Sequence, residues 1–377
     1  MSSPAKTVAF IGLGVMGYPM AVNLRNGLSP EYTLLICDVN KEALARFQKQ
    51  TEGKGPVKVI ETGEEAIAQS DLVITMLPNS PAVKAVYLDP NTGIVAGAEA
   101  AAKTSPSQKL IMECGTIETA TILSVAKAVE TARSSLPRNA ALSFVDAPVS
   151  GGPMGAEAGT LTFMVGANDS GSFEKAKEVL AHMGKKESVF HCGEVGAGTA
   201  FKVINNYLSA ITSLAASEAL NIGTKMGLDV KLLTDVINVS GGQCWVTSHS
   251  NPVPGVQANV PSSRGYEGGF RLELCAKVLK MGSELAEMVG ARTVLDGPTL
   301  EAFREAGEDE RYRGKDARVV YKWLNESSLQ CWHATAEFRD FGPAPDEILS
   351  TDSVHAAQER SIIAGILCPH QSQARHP

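Results

Sequence analysis

Lys202, Asn205 and Asn206 fall at i, i+3 and i+4 in the run Gly198–Met226, where Phe201, Ile204, Leu208, Ile211, Ala215 and Leu220 recur every few residues. That spacing predicts a long helix with the three polar side chains on one face. With Phe201, Val203, Ile204 and Tyr207 around them, the segment is expected to be mostly buried, where an ammonium must be paired or functional. Two readings stand level on these residues alone. Either the face is a solvated stripe, or the Lys202 amine exchanges a proton with a substrate hydroxyl while an Asn amide fixes that oxygen.

A second constellation lies near the N-terminus. Gly12-Leu13-Gly14-Val15-Met16-Gly17 follows the apolar run Thr7–Ile11 and precedes an amphipathic stretch whose Pro19 suits a first helical turn. Strand, glycine loop and helix in that order form a dinucleotide-binding fingerprint. The glycines allow a tight turn and close approach of a pyrophosphate, whose charge sits on the helix N–H groups. Asp38 ends the next apolar run, about 21 residues past Gly17, where a carboxylate accepts the ribose hydroxyls and repels a 2'-phosphate. NAD is therefore the expected cofactor, with Lys41 leaving the phosphorylated form open. The other reading of Asp38 is a cap on the helix starting near Asn40. Ser150-Gly151-Gly152 offers a third element: two glycines and a hydroxyl make a small anion nest suited to a carboxylate, or simply a turn.

These groups need a scaffold, and the first half alternates β-branched runs with amphipathic stretches, the pattern of a parallel sheet covered by helices. Strands are expected at Thr7–Ile11, Thr33–Cys37, Val57–Ile60, Leu72–Met76, Lys109–Met112 and Ser143–Asp146, with helices at Tyr18–Asn26, Lys41–Gln50, Pro81–Leu88 and Glu118–Ala132. Leu161–Val165 and Val189–Cys192 flank a helix at Ser172–Met183 and extend the sheet; Ala96–Ser107 and Arg133–Ala140 read as low-complexity surface insertions. After Gly193 only helical spacing continues, at Val230–Val239, Phe270–Val289, Pro298–Ala306 and Lys315–Leu324. The expected architecture is α/β. Residues 1–193 form a doubly wound Rossmann-type dinucleotide-binding domain, 194–325 a helical substrate and oligomerisation domain, and 326–377 a tail of no sustained period and no assigned role.

Composition narrows the partners. A formal net charge of -7 with no dense Lys/Arg run argues against nucleic acid and anionic membranes. Every apolar stretch is interrupted, so no span is expected and the protein should be soluble. Seven cysteines without a CxxC pair fit a reduced compartment, and no His, Cys or carboxylate cluster has ligand spacing, so no metal is expected. His182 and His191 read as structural or solvated.

Taken together, the extended loop Gly12–Ala21, Thr75-Met76-Leu77-Pro78, Asp146-Ala147-Pro148-Val149-Ser150-Gly151-Gly152 and Gly196–Asn206 resemble the β-hydroxyacid dehydrogenase family from about Thr7 to Leu324. Asn251-Pro252-Val253-Pro254-Gly255-Val256 and Tyr266-Glu267-Gly268-Gly269-Phe270 narrow the resemblance to its members acting on 3-hydroxyisobutyrate. The resemblance implies that Lys202 is the catalytic acid/base, that Asn206 orients substrate with Asn205 beside it, and that Ser150, Gly151 and Gly152 hold the substrate carboxylate. It also implies that Leu77, Pro78 and Thr116 contact the nicotinamide half of NAD and that Lys277 reaches into the cleft from the helical domain. The implied reaction is oxidation of 3-hydroxyisobutyrate to methylmalonate semialdehyde in valine breakdown, by a dimer or tetramer. Such enzymes work in the mitochondrial matrix, yet only Met1 to Lys6 precede the first strand, without an Arg-rich presequence, which leaves the cytoplasm as the alternative. Two departures stand out. Glu113-Cys114-Gly115-Thr116 replaces an acidic residue, two small hydroxyl residues and Thr; Val278 replaces the Asp after Lys277, which removes an acidic partner from that neighbourhood. The rival readings are an NADPH-dependent glyoxylate or succinic semialdehyde reductase and a non-catalytic dinucleotide-binding sensor.

Overall fold

The structure, a computed structural model, describes residues 6–326; the tail beyond Glu326 lies outside the described residues. Strands β1 (Thr7–Ile11), β2 (Thr33–Cys37), β3 (Val57–Val59), β4 (Leu72–Thr75), β5 (Gln108–Glu113) and β6 (Ala141–Asp146) pair in parallel in the order β3-β2-β1-β4-β5-β6. Their near-continuous apolar runs, with Leu34, Ile36 and Ile74 fully buried and Ala9, Val73 and Ile111 equally so, are what a sheet covered on both faces requires. The sheet continues through β7 (Val149–Ser150), β8 (Leu161–Gly166) and β9 (Gly184–Gly193): β8 lies antiparallel to β6 and β7, and β9 parallel to β8.

Helices α1 (Gly17–Gly27), α2 (Lys41–Gln50), α3 (Gly63–Gln69), α4 (Ser80–Leu88), α5 (Ile94–Thr104), α6 (Thr119–Ser135), α7 (Gly152–Ala158) and α8 (Ser170–Leu180) cover the faces. One core gathers Phe10, Met20, Leu24 and Phe163; the other gathers Ile67, Tyr87, Ile111 and Ile122. Helix α5 overturns the expected insertion at Ala96–Ser107. Its alanines and Gly97 are packing residues, since a Cβ on Gly97 would lie 2.7 Å from the Glu64 Cα of α3, and Ile94, Ala98 and Ala102 are buried. The expected insertion at Arg133–Ala140 instead begins as the last turn of α6, and only Leu136 to Ala140 form a connection before β6.

After β9 the chain turns helical: α9 (Ala197–Lys225), α10 (Val230–Asn238), α11 (Trp245–His249), α12 (Leu272–Met288), α13 (Asp296–Glu308) and α14 (Val320–Glu326). Helix α9 packs along α12 and α14 and reaches back onto β8 and β9, with Leu214, Leu272, Leu279, Phe303 and Tyr312 in the core. The face of α9 that lies inward differs from the one expected. Lys202, Val203, Ala210, Leu214 and Leu220 are buried, whereas Phe201, Ile204 and Leu208 are 54%, 58% and 61% exposed. Among the described residues no helix is long and apolar enough to cross a membrane, and no group of His, Cys and carboxylates has metal-holding geometry.

Candidate active site

The glycine loop sits between β1 and α1 at the carboxyl edge of the sheet, where open α/β folds bind ligands. Gly12 has φ +99, and a Cβ there would run into the Met76 carbonyl; one on Gly17 would run into the Gly12 carbonyl. At Gly14 a Cβ would meet nothing within 4 Å. Two glycines are thus fixed by packing, and the third faces open space, as a phosphate cradle requires. Helix α1 begins without a side-chain cap and without an acidic residue in its first turn; the Tyr18 N–H is taken by the Gly14 carbonyl and Pro19 has none, so no side chain competes with an anion for the positive end of the helix. Leu13, Val15 and Met16 complete the loop, and these residues fit a dinucleotide.

Asp38, half-buried, accepts the Leu13 N–H at 2.5 Å and the Asn40 N–H at 2.7 Å. It therefore braces the glycine loop directly. The cap of α2 is Asn40, which accepts from Glu42 and Ala43 at 3.0 and 3.2 Å, so the capping alternative for Asp38 is corrected.

Leu77 and Pro78 lie on the β4–α4 loop and Thr116 on the neighbouring β5–α6 loop; Leu77 is buried, Thr116 half-buried and Pro78 exposed. From α12, Lys277 reaches across to these loops: its Nζ is 3.5 Å from the Pro78 carbonyl oxygen and 3.9 Å from Glu118 Oε1. This corrects the expected lack of an acidic partner. Glu118, at the start of α6 and itself accepting from the Ser80 hydroxyl, supplies the charge. Val278 instead packs in a buried cluster with Val203 and Met281.

Lys202 is 9% exposed. Burial is the only influence on its ammonium, and it lowers the pKa to about 8. Asn206 is half-buried and Asn205 exposed, with Asn205 Nδ2 3.4 Å from Asn206 Oδ1. The first turn of α9 is held by Asp146, a fully buried carboxylate that accepts the N–H groups of Gly196 at 2.7 Å and Thr199 at 2.6 Å. Four residues after Asp146 comes Ser150, paired with Thr162 on β8, then Gly151 and Gly152 at φ +134 and +61. A Cβ on Gly152 would meet nothing within 4 Å, so its backbone is open to a ligand; the same two glycines also turn the chain into α7.

Sequence reading passed over a recurring device. Asp38, Glu113 and Asp146 each stand at the carboxyl end of a strand or just beyond it, and each accepts loop N–H groups: Asp38 from Leu13, Glu113 from Gly115, Asp146 from Gly196 and Thr199. An acid closing an apolar strand was the available signal at all three, with glycines following in the loops after Glu113 and Asp146. Of the two histidines in the α/β half, the His191 ring stacks on Phe173 with centroids 4.7 Å apart, and His182 packs where a Cβ on Gly27 would fall.

Residues 7–193 match the NAD binding domain of 6-phosphogluconate dehydrogenase, and residues 196–324 match the NAD-binding domain of NADP-dependent 3-hydroxyisobutyrate dehydrogenase. A probable mitochondrial 3-hydroxyisobutyrate dehydrogenase of Dictyostelium discoideum is 37% identical over 329 residues, 86% of this chain and 93% of the relative. An NAD-dependent L-serine dehydrogenase of Pseudomonas aeruginosa is 36% identical over 325 residues, 86% of this chain and all of the relative. Among solved structures, Mycobacterium tuberculosis 3-hydroxyisobutyrate dehydrogenase with L-serine superposes at a TM-score of 0.72 with 31% identity, covering 85% of this chain and 99% of that one. The glycine cradle, the Rossmann-type domain and the helical domain behind it agree with these matches: the chain belongs to the 3-hydroxyisobutyrate dehydrogenase family of 3-hydroxyacid oxidoreductases, and its cofactor is NAD.

Proposed function

We propose that the protein oxidises 3-hydroxyisobutyrate to methylmalonate semialdehyde, with Lys202 as the proton-transfer group. The observation that carries this reading is a buried lysine with a pKa of about 8, on a helix whose first turn is held by the same strand end that leads into Ser150-Gly151-Gly152. NAD, when bound, accepts the hydride from the substrate's carbinol carbon. Ser150, Gly151 and Gly152 hold the substrate carboxylate, Asn206 with Asn205 beside it orients the hydroxyl, and neutral Lys202 Nζ takes the hydroxyl proton. The glycine loop and Asp38 hold the adenosine and pyrophosphate half; Leu77, Pro78, Thr116 and Lys277 line the nicotinamide half. Asp38 favours NAD over its 2'-phosphorylated form by charge repulsion. In this assignment residues 1–193 bind the dinucleotide and 194–325 complete the substrate site.

The same reading extends to assembly and place. Phe201, Ile204 and Leu208 expose an apolar stripe on α9 beside an apolar cleft of about 230 Å³ lined by Ile204, Tyr207, Leu285 and Val289, which supports a second copy as its cover. Relatives named as mitochondrial support the matrix, and a role in valine breakdown, over the cytoplasm. L-Serine is the second substrate reading, favoured by the serine dehydrogenase of P. aeruginosa and the L-serine in the mycobacterial structure; it is also a small 3-hydroxy acid, with an ammonium where 3-hydroxyisobutyrate has a methyl group.

Purified protein should be assayed with 3-hydroxyisobutyrate, L-serine, 3-hydroxypropionate and 4-hydroxybutyrate plus NAD or NADP, and with glyoxylate and succinic semialdehyde plus NADH or NADPH. The highest kcat/KM is expected for 3-hydroxyisobutyrate with NAD. Preference for serine selects the second reading. Turnover of the aldehydes alone with NADPH selects a reductase, and silence throughout with NAD still bound selects a sensor.

A further inference from the structure

Glu113 is wholly buried, and its contacts reach beyond the Gly115 N–H. It ends β5, its Oε1 accepts the Gly115 N–H at 2.7 Å, its Oε2 meets the Thr75 hydroxyl, and it also accepts the Leu77 N–H. One carboxylate thereby fastens the end of β4, the first residue of interest on the β4–α4 loop and the β5–α6 loop. The Tyr87 hydroxyl of α4 lies 2.6 Å from Thr75 Oγ1 and closes the network from above. Space confirms how tightly the two loops are drawn together: a Cβ on Gly115 would fall 2.6 Å from both Glu113 Oε1 and the Leu77 carbonyl oxygen. Gly115 therefore lets the carboxylate and both loops meet. The loops so joined carry Leu77 and Pro78 on one side and Thr116 on the other.

We propose that Glu113 is a positioning residue for the nicotinamide end of the cofactor site, tying these two loops into one surface so that NAD affinity, and not proton transfer, depends on it. The inference rests on the reading of Leu77, Pro78 and Thr116 as nicotinamide contacts. Burial holds the Glu113 carboxyl up at about 7, so the ionised form that accepts N–H groups predominates only above neutrality. The titratable groups facing it do not compete there: burial and the charge of Glu113 push the Tyr87 phenol and Cys114 thiol well above their ordinary ranges. Asp146, its register partner on β6, is engaged with Gly196 and Thr199.

The test is calorimetric NAD binding to the full-length protein from pH 6 to 8.5, together with steady-state kinetics, for wild type, Glu113→Gln and Lys202→Met. Losing a charged acceptor of this kind is expected to raise the NAD Kd of Glu113→Gln about tenfold or more at pH 8. Its kcat at saturating NAD should stay within about twofold, the split expected when binding alone is lost. Wild-type Kd should rise as pH falls through about 7, and the variant should lose that dependence. Lys202→Met should show the converse, a normal Kd and a collapsed kcat. An unchanged Kd in Glu113→Gln, with or without a drop in melting temperature, overturns the proposal, as does a kcat loss with Kd intact. If Glu113→Gln does not fold, Thr75→Val carries the same test through the hydroxyl partner, and an unchanged Kd there overturns it equally. If the Kd of Glu113→Gln rises but Leu77→Ala and Thr116→Ala leave it unmoved, the assignment of those contacts fails instead, and the proposal falls with it.

Discussion

Lys202 can accept a proton only while neutral, and burial lowers its pKa from 10.5 to about 8. The kcat/KM for alcohol oxidation should rise with pH through about 8 and level off above it, as a pH–rate profile would show. Because the folded pKa is depressed, this lysine's contribution to stability is fully present above 10.5 and lost as pH falls through 8. Near neutrality the wild type thus carries a buried charge at a cost, which is the pattern of a residue retained for function. Lys202→Met should lose about a thousandfold in kcat while melting no lower than wild type at pH 7. A fall in melting temperature, or turnover near normal, would remove Lys202 from the chemistry. Glu113 shows the opposite sign: its raised pKa gives stability below 4.5 that is lost as pH rises through about 7.

At the scale of elements, the start of α9 depends on two N–H groups reaching Asp146 across from another element. Gly198 packs so closely that a Cβ would strike the Met164 carbonyl. Asp146→Ala leaves both donors buried without an acceptor and should cost about 3 kcal/mol in urea unfolding, with Lys202 displaced and kcat lowered alongside. This is the kind of contact that periodicity does not register. The apolar runs of β1 and β2 and the amphipathic spacing of α2 are local signals, and those elements lie where the sequence indicates. Helix α5 was hidden because its alanines and glycine look like filler until α3 is placed against them. Burial of Lys202 was legible, but only part of the reason holds: Phe201 and Ile204 face outward, while Val203 packs inward with Val278 and Met281. Glu118 could not be found as the partner of Lys277 because the two meet only in three dimensions.

Across the whole molecule, the outward stripe of α9 sets the expected assembly. Leu208 is 61% exposed and lies on α9 two residues beyond Asn206. Leu208→Asp should convert an oligomer to monomers in analytical ultracentrifugation by burying a carboxylate in the interface; a wild type that sediments as a monomer would refute the assignment. The remaining consequence concerns inheritance. Glu113 and Asp146 occupy facing positions on adjacent strands, one bound to the β5–α6 loop, the other to the first turn of α9. On the proposed roles of Leu77, Thr116 and Lys202, an insertion or deletion that slipped β6 against β5 by a single residue would therefore part the nicotinamide contacts from the base in one event, however well the rest of the fold tolerated it.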